Sequence, residues 1–252
     1  METVFAYPLS FLALAFLAAL IYASVGHGGA SAYLALMALY AFPQEAMRTT
    51  ALSLNLLVAG TAVFSFARAG CFSWRLTWPF VLSSVPAAFL GGFLAVPRFV
   101  YSGLLGISLC AAGARLLMES SYRKERADLC GRPPFMICLV LGGLIGLLSG
   151  VIGIGGGIFL SPLLLVFHWA GVKQTAATSA FFIFVNSLSG LLGQRFGHGA
   201  SLSWPMLGLA FMVFSGGAAG SLLGASFFST GRLRQVLAGV LFVAAFKLLR
   251  FV

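Results

Sequence analysis

Carboxylates are almost absent from this chain. Five occur in 252 residues (Glu2, Glu45, Glu119, Glu125 and Asp128), and each lies at a segment end or in a loop of the hydrophobic pattern. A proton relay built on a membrane-embedded acid is therefore missing. So is the cluster of hard oxygen charges that a metal-cation carrier needs. Charge of either sign is scarce: 8% of residues are charged, against about 25% in a soluble domain. A chain that poor in charge and 60% hydrophobic cannot cover its own surface in water. It reads as an integral membrane protein.

Cysteine is also sparse. Cys71, Cys110, Cys130 and Cys138 show neither CxxC nor metal-ligand spacing, so they read as free thiols and no disulfide is expected. With only three histidines they make no zinc or haem pattern, and no metal or cofactor is expected. No Gly-Lys-Ser/Thr follows either glycine run of the chain, which excludes a phosphate-loop nucleotidase by motif. A dinucleotide fingerprint would need a strand, a helix and a later acid in a soluble fold. None of these is present, and the reading is that the protein is not an enzyme.

Hydrophobic length, by contrast, is abundant. From Thr3 to Gln44 there is no Lys, Arg, Asp or Glu, and from Pro133 to Gly171 there is none either. Each stretch exceeds the roughly 20 residues that span a bilayer, so each must enter, turn and return. The pattern predicts ten segments, at about 5–25, 29–42, 49–67, 76–97, 99–118, 135–152, 157–170, 176–195, 203–228 and 234–251. The second and seventh are too short to cross and read as half-helices or re-entrant pieces. The N-terminus lacks the basic flank of a cleaved signal peptide, so the first segment reads as a retained membrane helix.

The charged stretch at 115–132 separates two halves. The predicted organisation is a first transmembrane repeat at 1–118, a cytoplasmic linker at 119–133 and a second repeat at 134–252. The halves match in order: Gly26 with Gly153, Thr49-Thr50-Ala51 with Thr178-Ser179-Ala180, Phe72-Ser73-Trp74 with Leu202-Ser203-Trp204, and Arg115-Leu116-Leu117 with Lys247-Leu248-Leu249. With five segments each, the second half is expected upside down relative to the first. Placing the charged stretch in the cytoplasm puts ten basic residues inside, Arg68, Arg75, Lys173, Arg232 and Arg234 joining Arg115, Arg123, Lys124, Arg126 and Arg132. Arg48, Arg98, Arg195, Lys247 and Arg250 fall outside. That bias obeys the positive-inside rule. An eight-span arrangement, with two glycine segments that dip and return, is the alternative. The net charge of +10 reads as this topology signal, so no nucleic-acid partner is expected. The bilayer of the inner (plasma) membrane is the expected surroundings, and oligomeric state is left open.

Glycine marks the candidate site. Gly26-His27-Gly28-Gly29 and Gly153-Ile154-Gly155-Gly156-Gly157 interrupt uncharged hydrophobic stretches about 127 residues apart. A helix broken at bilayer depth leaves backbone N–H groups and a positive half-dipole facing a ligand. Two breaks facing each other would bind an anion without a buried cation. Gly28, Gly29, Gly155, Gly156 and Gly157 are therefore expected to line a substrate site. The competing reading is that the glycines only let helices pack closely, which is how the pairs Gly142-Gly143 and Gly216-Gly217 are read. Thr50, Thr178 and Ser179 have two readings of equal weight, caps at helix starts or donors to an oxyanion. His27 either binds or couples to an anion or proton, or is a neutral, hydrogen-bonded histidine. Asn186 is read as glue between helices, and Arg48 and Arg195 as arginines that snorkel at an outer mouth.

The run Gly150-Val151-Ile152-Gly153-Ile154-Gly155-Gly156-Gly157, with Ser161-Pro162 and Ala176-Ala177-Thr178-Ser179, resembles the TauE/SafE family of membrane permeases. The resemblance extends through both halves. The first copy is degenerate, with His27, Ala30 and Ala35 where the second has Ile154, Gly157 and Pro162. The resemblance implies an all-α polytopic exporter of sulfite or an organosulfur anion. The expected function is a secondary transporter of a small anion working by alternating access. A permease for another solute, or a membrane scaffold or assembly factor without transport, is the alternative.

Overall fold

The computed structural model describes residues 8–24, 27–118, 131, 133–199, 206–226 and 231–250. Most of the linker lies outside the described residues, as do Glu2, Gly26, Cys130 and Trp204. The described residues form ten α-helices and no strand: α1 Leu9–Ser24, α2 Ala30–Leu39, α3 Gln44–Arg68, α4 Trp74–Phe93, α5 Arg98–Met118, α6 Phe135–Ile152, α7 Gly157–Val166, α8 Val172–His198, α9 Met206–Ser226 and α10 Gly231–Arg250. Each helix corresponds to one segment of the hydrophobic pattern.

By length and apolar composition, α3, α4, α6 and α8 are each able to cross a membrane. The ten residues of α2 and of α7 reach only about 15 Å, half of the ~30 Å hydrocarbon core. α2 is nonetheless buried along almost its whole length, and α7 buries Gly157, Ile158, Leu160, Ser161 and Leu164 while Val166 at its end is exposed.

Two helix starts differ from expectation. The third begins at Gln44 and the eighth at Val172, with Pro43 and Gly171 as N-caps. Gln44-Glu45-Ala46-Met47-Arg48 are good helix formers, so the helix runs upstream of the apolar stretch until proline stops it. Thr50, Thr178 and Ser179 consequently lie inside helices, and the capping role considered for them is not what they do.

The main helix pairings exchange when the halves are exchanged. α4 packs on α6 as α1 packs on α9, and α4 packs on α8 as α9 packs on α3, while α3 with α8 and α5 with α10 pair across the halves. Glycines make these approaches close. On α6, Gly142, Gly146 and Gly150 recur every fourth residue and face Phe80, Ser84 and Ala88 on α4, whose carbonyls occupy the space a side chain would need. Gly216 and Gly220 do the same on α9 against Phe16 and Leu20 of α1. This is small-residue packing of the kind membrane helices rely on, and it matches the packing reading of Gly142 and Gly216.

Arg48 departs from the sequence reading. It is 3% exposed, not snorkelling. Its Nη2 donates to Gly91 O (3.1 Å), Gly92 O (3.3 Å) and Gly150 O (3.2 Å). Those carbonyls belong to the last turns of α4 and α6, where the helix itself offers no donor. Two negative helix ends thus meet one cation. Lys247 on α10 does the same for the short α2, with Nζ 3.1 Å from Ala38 O and 2.9 Å from Leu39 O. Arg195 remains exposed and donates to Gly199 O.

Candidate functional site

Both glycine breaks form where one helix stops and a short helix starts. In the second, Gly153 caps the end of α6 with φ 90°, and Gly155 and Gly156 both hold φ 81°, Gly156 as N-cap of α7. In the first, Gly29 is the N-cap of α2 with φ 85°. A residue with a Cβ adopts this left-handed region only at a cost. Gly28 and Gly157 carry no such φ, and they are needed for room instead.

That room is shared between the breaks. A Cβ on Gly28 would collide with the Asn55 amide oxygen, and one on Gly155 would lie 2.6 Å from the Asn55 amide nitrogen. Asn55, fully buried on α3, ties the two together: Ala30 N donates to Asn55 Oδ1 (3.1 Å), and Asn55 Nδ2 donates to Ile154 O (2.9 Å). An N–H only donates and a carbonyl only accepts, so both contacts fix the amide in one orientation.

A second link runs through hydroxyls. His27 Nε2 lies 3.0 Å from Ser161 Oγ on α7, which lies 2.6 Å from Ser179 Oγ on α8 and 2.9 Å from Gly157 O. The His27 ring thus meets a hydroxyl of the other half, with all three side chains buried.

Of the residues singled out in the sequence, His27, Gly28, Gly155, Gly157 and Ser179 come together here. Gly29 and Gly156 lie in the same breaks but face elsewhere, Gly29 toward Tyr33 and Gly156 toward Phe182 and Ile145. Thr178 turns to Thr77 on α4 (Oγ1 to Oγ1, 3.3 Å). Thr50 is half-buried, and among the described residues no hydrogen bond connects it to either break. Asn186 is not interhelical glue: both ends of its buried amide lack a protein partner. Asn55, Ile183, Ser149 and Ser187 were not singled out as site residues. A lone amide in the apolar run of α3 was the available signal for Asn55. Nothing in the sequence distinguishes Ile183 from its apolar neighbours.

The chemistry on offer is donation. Around the second break, hydrogen bonds run from Gly153 N to Ser149 O and from Phe159 N and Leu160 N to Gly156 O. They leave the N–H groups of Gly155, Gly156, Gly157 and Ile158, all buried, without a backbone acceptor among the described residues. Ser187 Oγ, 3.0 Å from the Cβ position of Gly155, and Ser149 Oγ are buried without a partner. Among the described residues no cluster of His, Cys, Asp and Glu is arranged to hold a metal ion. A buried helix start with spare N–H groups suits a negative ligand.

Known proteins resemble this chain along most of its length. Residues 11–248 match the family model described as sulfite exporter TauE/SafE. The chain is 38% identical over 239 residues to the probable membrane transporter protein y4hK of Sinorhizobium fredii, covering 93% of this chain and 95% of that one. It is 30% identical over 140 residues to the probable membrane transporter protein MJ0441 of Methanocaldococcus jannaschii, covering 52% and 49% of the two chains. No solved structure matches it. The chain belongs to the TauE/SafE family and is a multi-pass membrane transporter.

Proposed function

We propose that this TauE/SafE-family transporter carries a small anion, sulfite or an organosulfur anion, across the inner (plasma) membrane as a secondary exporter. The observation that carries the reading is the convergence of two half-helix starts on Asn55, with spare N–H groups of the second held out of water. Such a site recognises negative charge through dipoles and hydrogen bonds, so it can release its ligand more readily than a fixed cation would. The sulfur-oxyanion class follows from the description of the family model. The sequence carries no nucleotide-binding motif, so the driving force in this reading is a gradient. Transport proceeds by alternating access, the two halves being inverted copies that rock about the breaks. The exchange symmetry of the helix pairings supports that division.

Purified protein is titrated with sulfite, thiosulfate, sulfate, methanesulfonate, taurine and chloride, following its melting temperature, and the ligands that bind are then followed across proteoliposomes. A ligand of the folded state raises stability by mass action. One or more sulfur oxyanions are expected to shift the melt and to be carried. Ser187→Ala removes a hydroxyl that has no partner, so it leaves the unliganded melt unchanged and reduces the shift. Absence of binding and flux for every anion, with the protein folded, overturns the reading in favour of another solute or of a scaffold.

A further inference from the structure

The two breaks enclose a space that one side chain fills. Ile183 stands on α8 and is 2% exposed. Its Cγ2 lies 3.2 Å from the Cβ position of Gly28 and 2.9 Å from that of Gly155. Its Cγ1 lies 2.5 Å from the Cβ position of Gly157. Three glycines from both halves of the chain thus share one neighbour, and the room they vacate is Ile183's. Around it are polar groups: the Asn55 amide, the unpartnered Ser187 Oγ one turn further along α8, and the free N–H groups of the second break.

An oxyanion seated on those donors has Ile183 beside it, and whatever is attached to the oxyanion must pass that side chain. Isoleucine is a stiff choice for the position. Its branched Cβ holds one strongly preferred rotamer in a helix, so it does not swing aside as leucine or methionine would. We propose that Ile183 is the size filter of this transporter, setting how large a substituent on the anion is admitted between the breaks. The inference rests on the anion-site reading above and adds the residue that sets the limit. A filter of this kind discriminates by packing, where one methylene too many costs roughly tenfold or more in specificity.

The test uses sulfonates that share one head group and one charge and differ only in the tail. Reconstituted wild-type protein and Ile183→Ala are compared for uptake of methanesulfonate, ethanesulfonate and butanesulfonate, with sulfite as reference. Wild type is expected to favour the shortest over the longest by about tenfold or more, and Ile183→Ala to bring that ratio within about threefold. Ile183→Val, a milder truncation, should fall between them, and it carries the test if the alanine variant does not fold. The proposal is overturned if wild type carries butanesulfonate as fast as methanesulfonate. An unchanged ratio in folded variants overturns it as well, as does wild-type transport of sulfite alone that neither variant extends to methanesulfonate. If wild type carries no anion, the anion-site reading fails and the filter falls with it.

Discussion

His27 Nε2 lies 3.0 Å from Ser161 Oγ, so the first glycine break is hydrogen-bonded to the short helix that the second break begins. Ser161 has one proton and three neighbours, since Ser179 Oγ and Gly157 O also lie within hydrogen-bond reach. When His27 Nε2 carries hydrogen, Ser161 accepts from it and turns its own proton to Gly157 or Ser179. When Nε2 is bare, Ser161 donates to it. Either way the pair is satisfied. A double-mutant cycle with His27→Ala and Ser161→Ala is expected to give a coupling of about 1 kcal/mol in the melting free energy, in the range of interhelical hydrogen bonds in membranes. A coupling indistinguishable from zero would show that the two breaks are not joined here.

Asn55 joins them a second time, and more tightly. Asn55→Ala leaves the Ala30 N–H and the Ile154 carbonyl buried without partners, a cost of roughly 1–3 kcal/mol for each. Asn55→Asp keeps the size but sets a carboxylate oxygen against the Ile154 carbonyl and brings negative charge to the site. The aspartate variant is expected to lose more anion flux than the alanine variant at equal protein in the membrane. Equal flux in both would mean that charge at Asn55 is not felt by the substrate.

Arg48 serves two helix ends at once. Arg48→Met leaves the carbonyls of Gly91, Gly92 and Gly150 without a donor, and a loss of about 3 kcal/mol or more is expected. Arg48→Lys retains charge on a shorter, single-pointed head, so it should restore part of that loss. Thermal melts of the three proteins in one detergent decide the order. A methionine variant as stable as wild type would remove the double cap as a source of stability.

Two glycines of α6, three residues apart, provide a contrast. A Cβ on Gly146 would lie 2.6 Å from the Ser84 Cα, which is backbone and cannot turn away, whereas one on Gly143 meets only Ser83 Cβ, at 3.8 Å. Gly146→Ala is therefore expected to lower the melting temperature by pushing α4 and α6 apart. Gly143→Ala should be neutral or stabilising by up to about 1 kcal/mol, the helix preference of alanine over glycine. Equal effects at both positions would argue against the tight α4–α6 crossing.

The ten helices and both breaks were legible because hydropathy and glycine are local signals. A run of apolar residues between glycines reports its own length, and length decides whether a helix crosses. Facing directions were not legible. These helices are apolar all round, so no amphipathic stripe marks an inner face. Thr178 therefore could not be seen to turn to Thr77 on α4, nor Ile183 to lie between the breaks. Arg48 misled for a related reason. An arginine near the end of an apolar run looks like one that reaches water, and the carbonyls that hold it come from residues 43 to 102 positions away. Arg48 and Lys247 are two of the five basic residues assigned to the outer side, and both donate to helix ends.

Lys247 gives the last prediction, because it sits at the far end of the short helix that starts in the first break. Its Nζ donates to Ala38 O and Leu39 O, the final carbonyls of α2. The opposite end of α2 starts at Gly29, in the first break. A cation at the negative end offsets that half of the dipole and leaves the positive half facing the breaks. Lys247→Met should lower stability, since the Leu39 carbonyl loses its donor and the Ala38 carbonyl keeps only Ala41 N. It should also weaken anion binding by about 0.3–1 kcal/mol, roughly twofold to fivefold in Kd. Lys247→Arg, which retains charge and reach, should recover both. If Lys247→Met melts lower but binds the anion with unchanged affinity, the lysine only holds α2 in place. If affinity falls and arginine restores it, the anion senses the full length of the short helix.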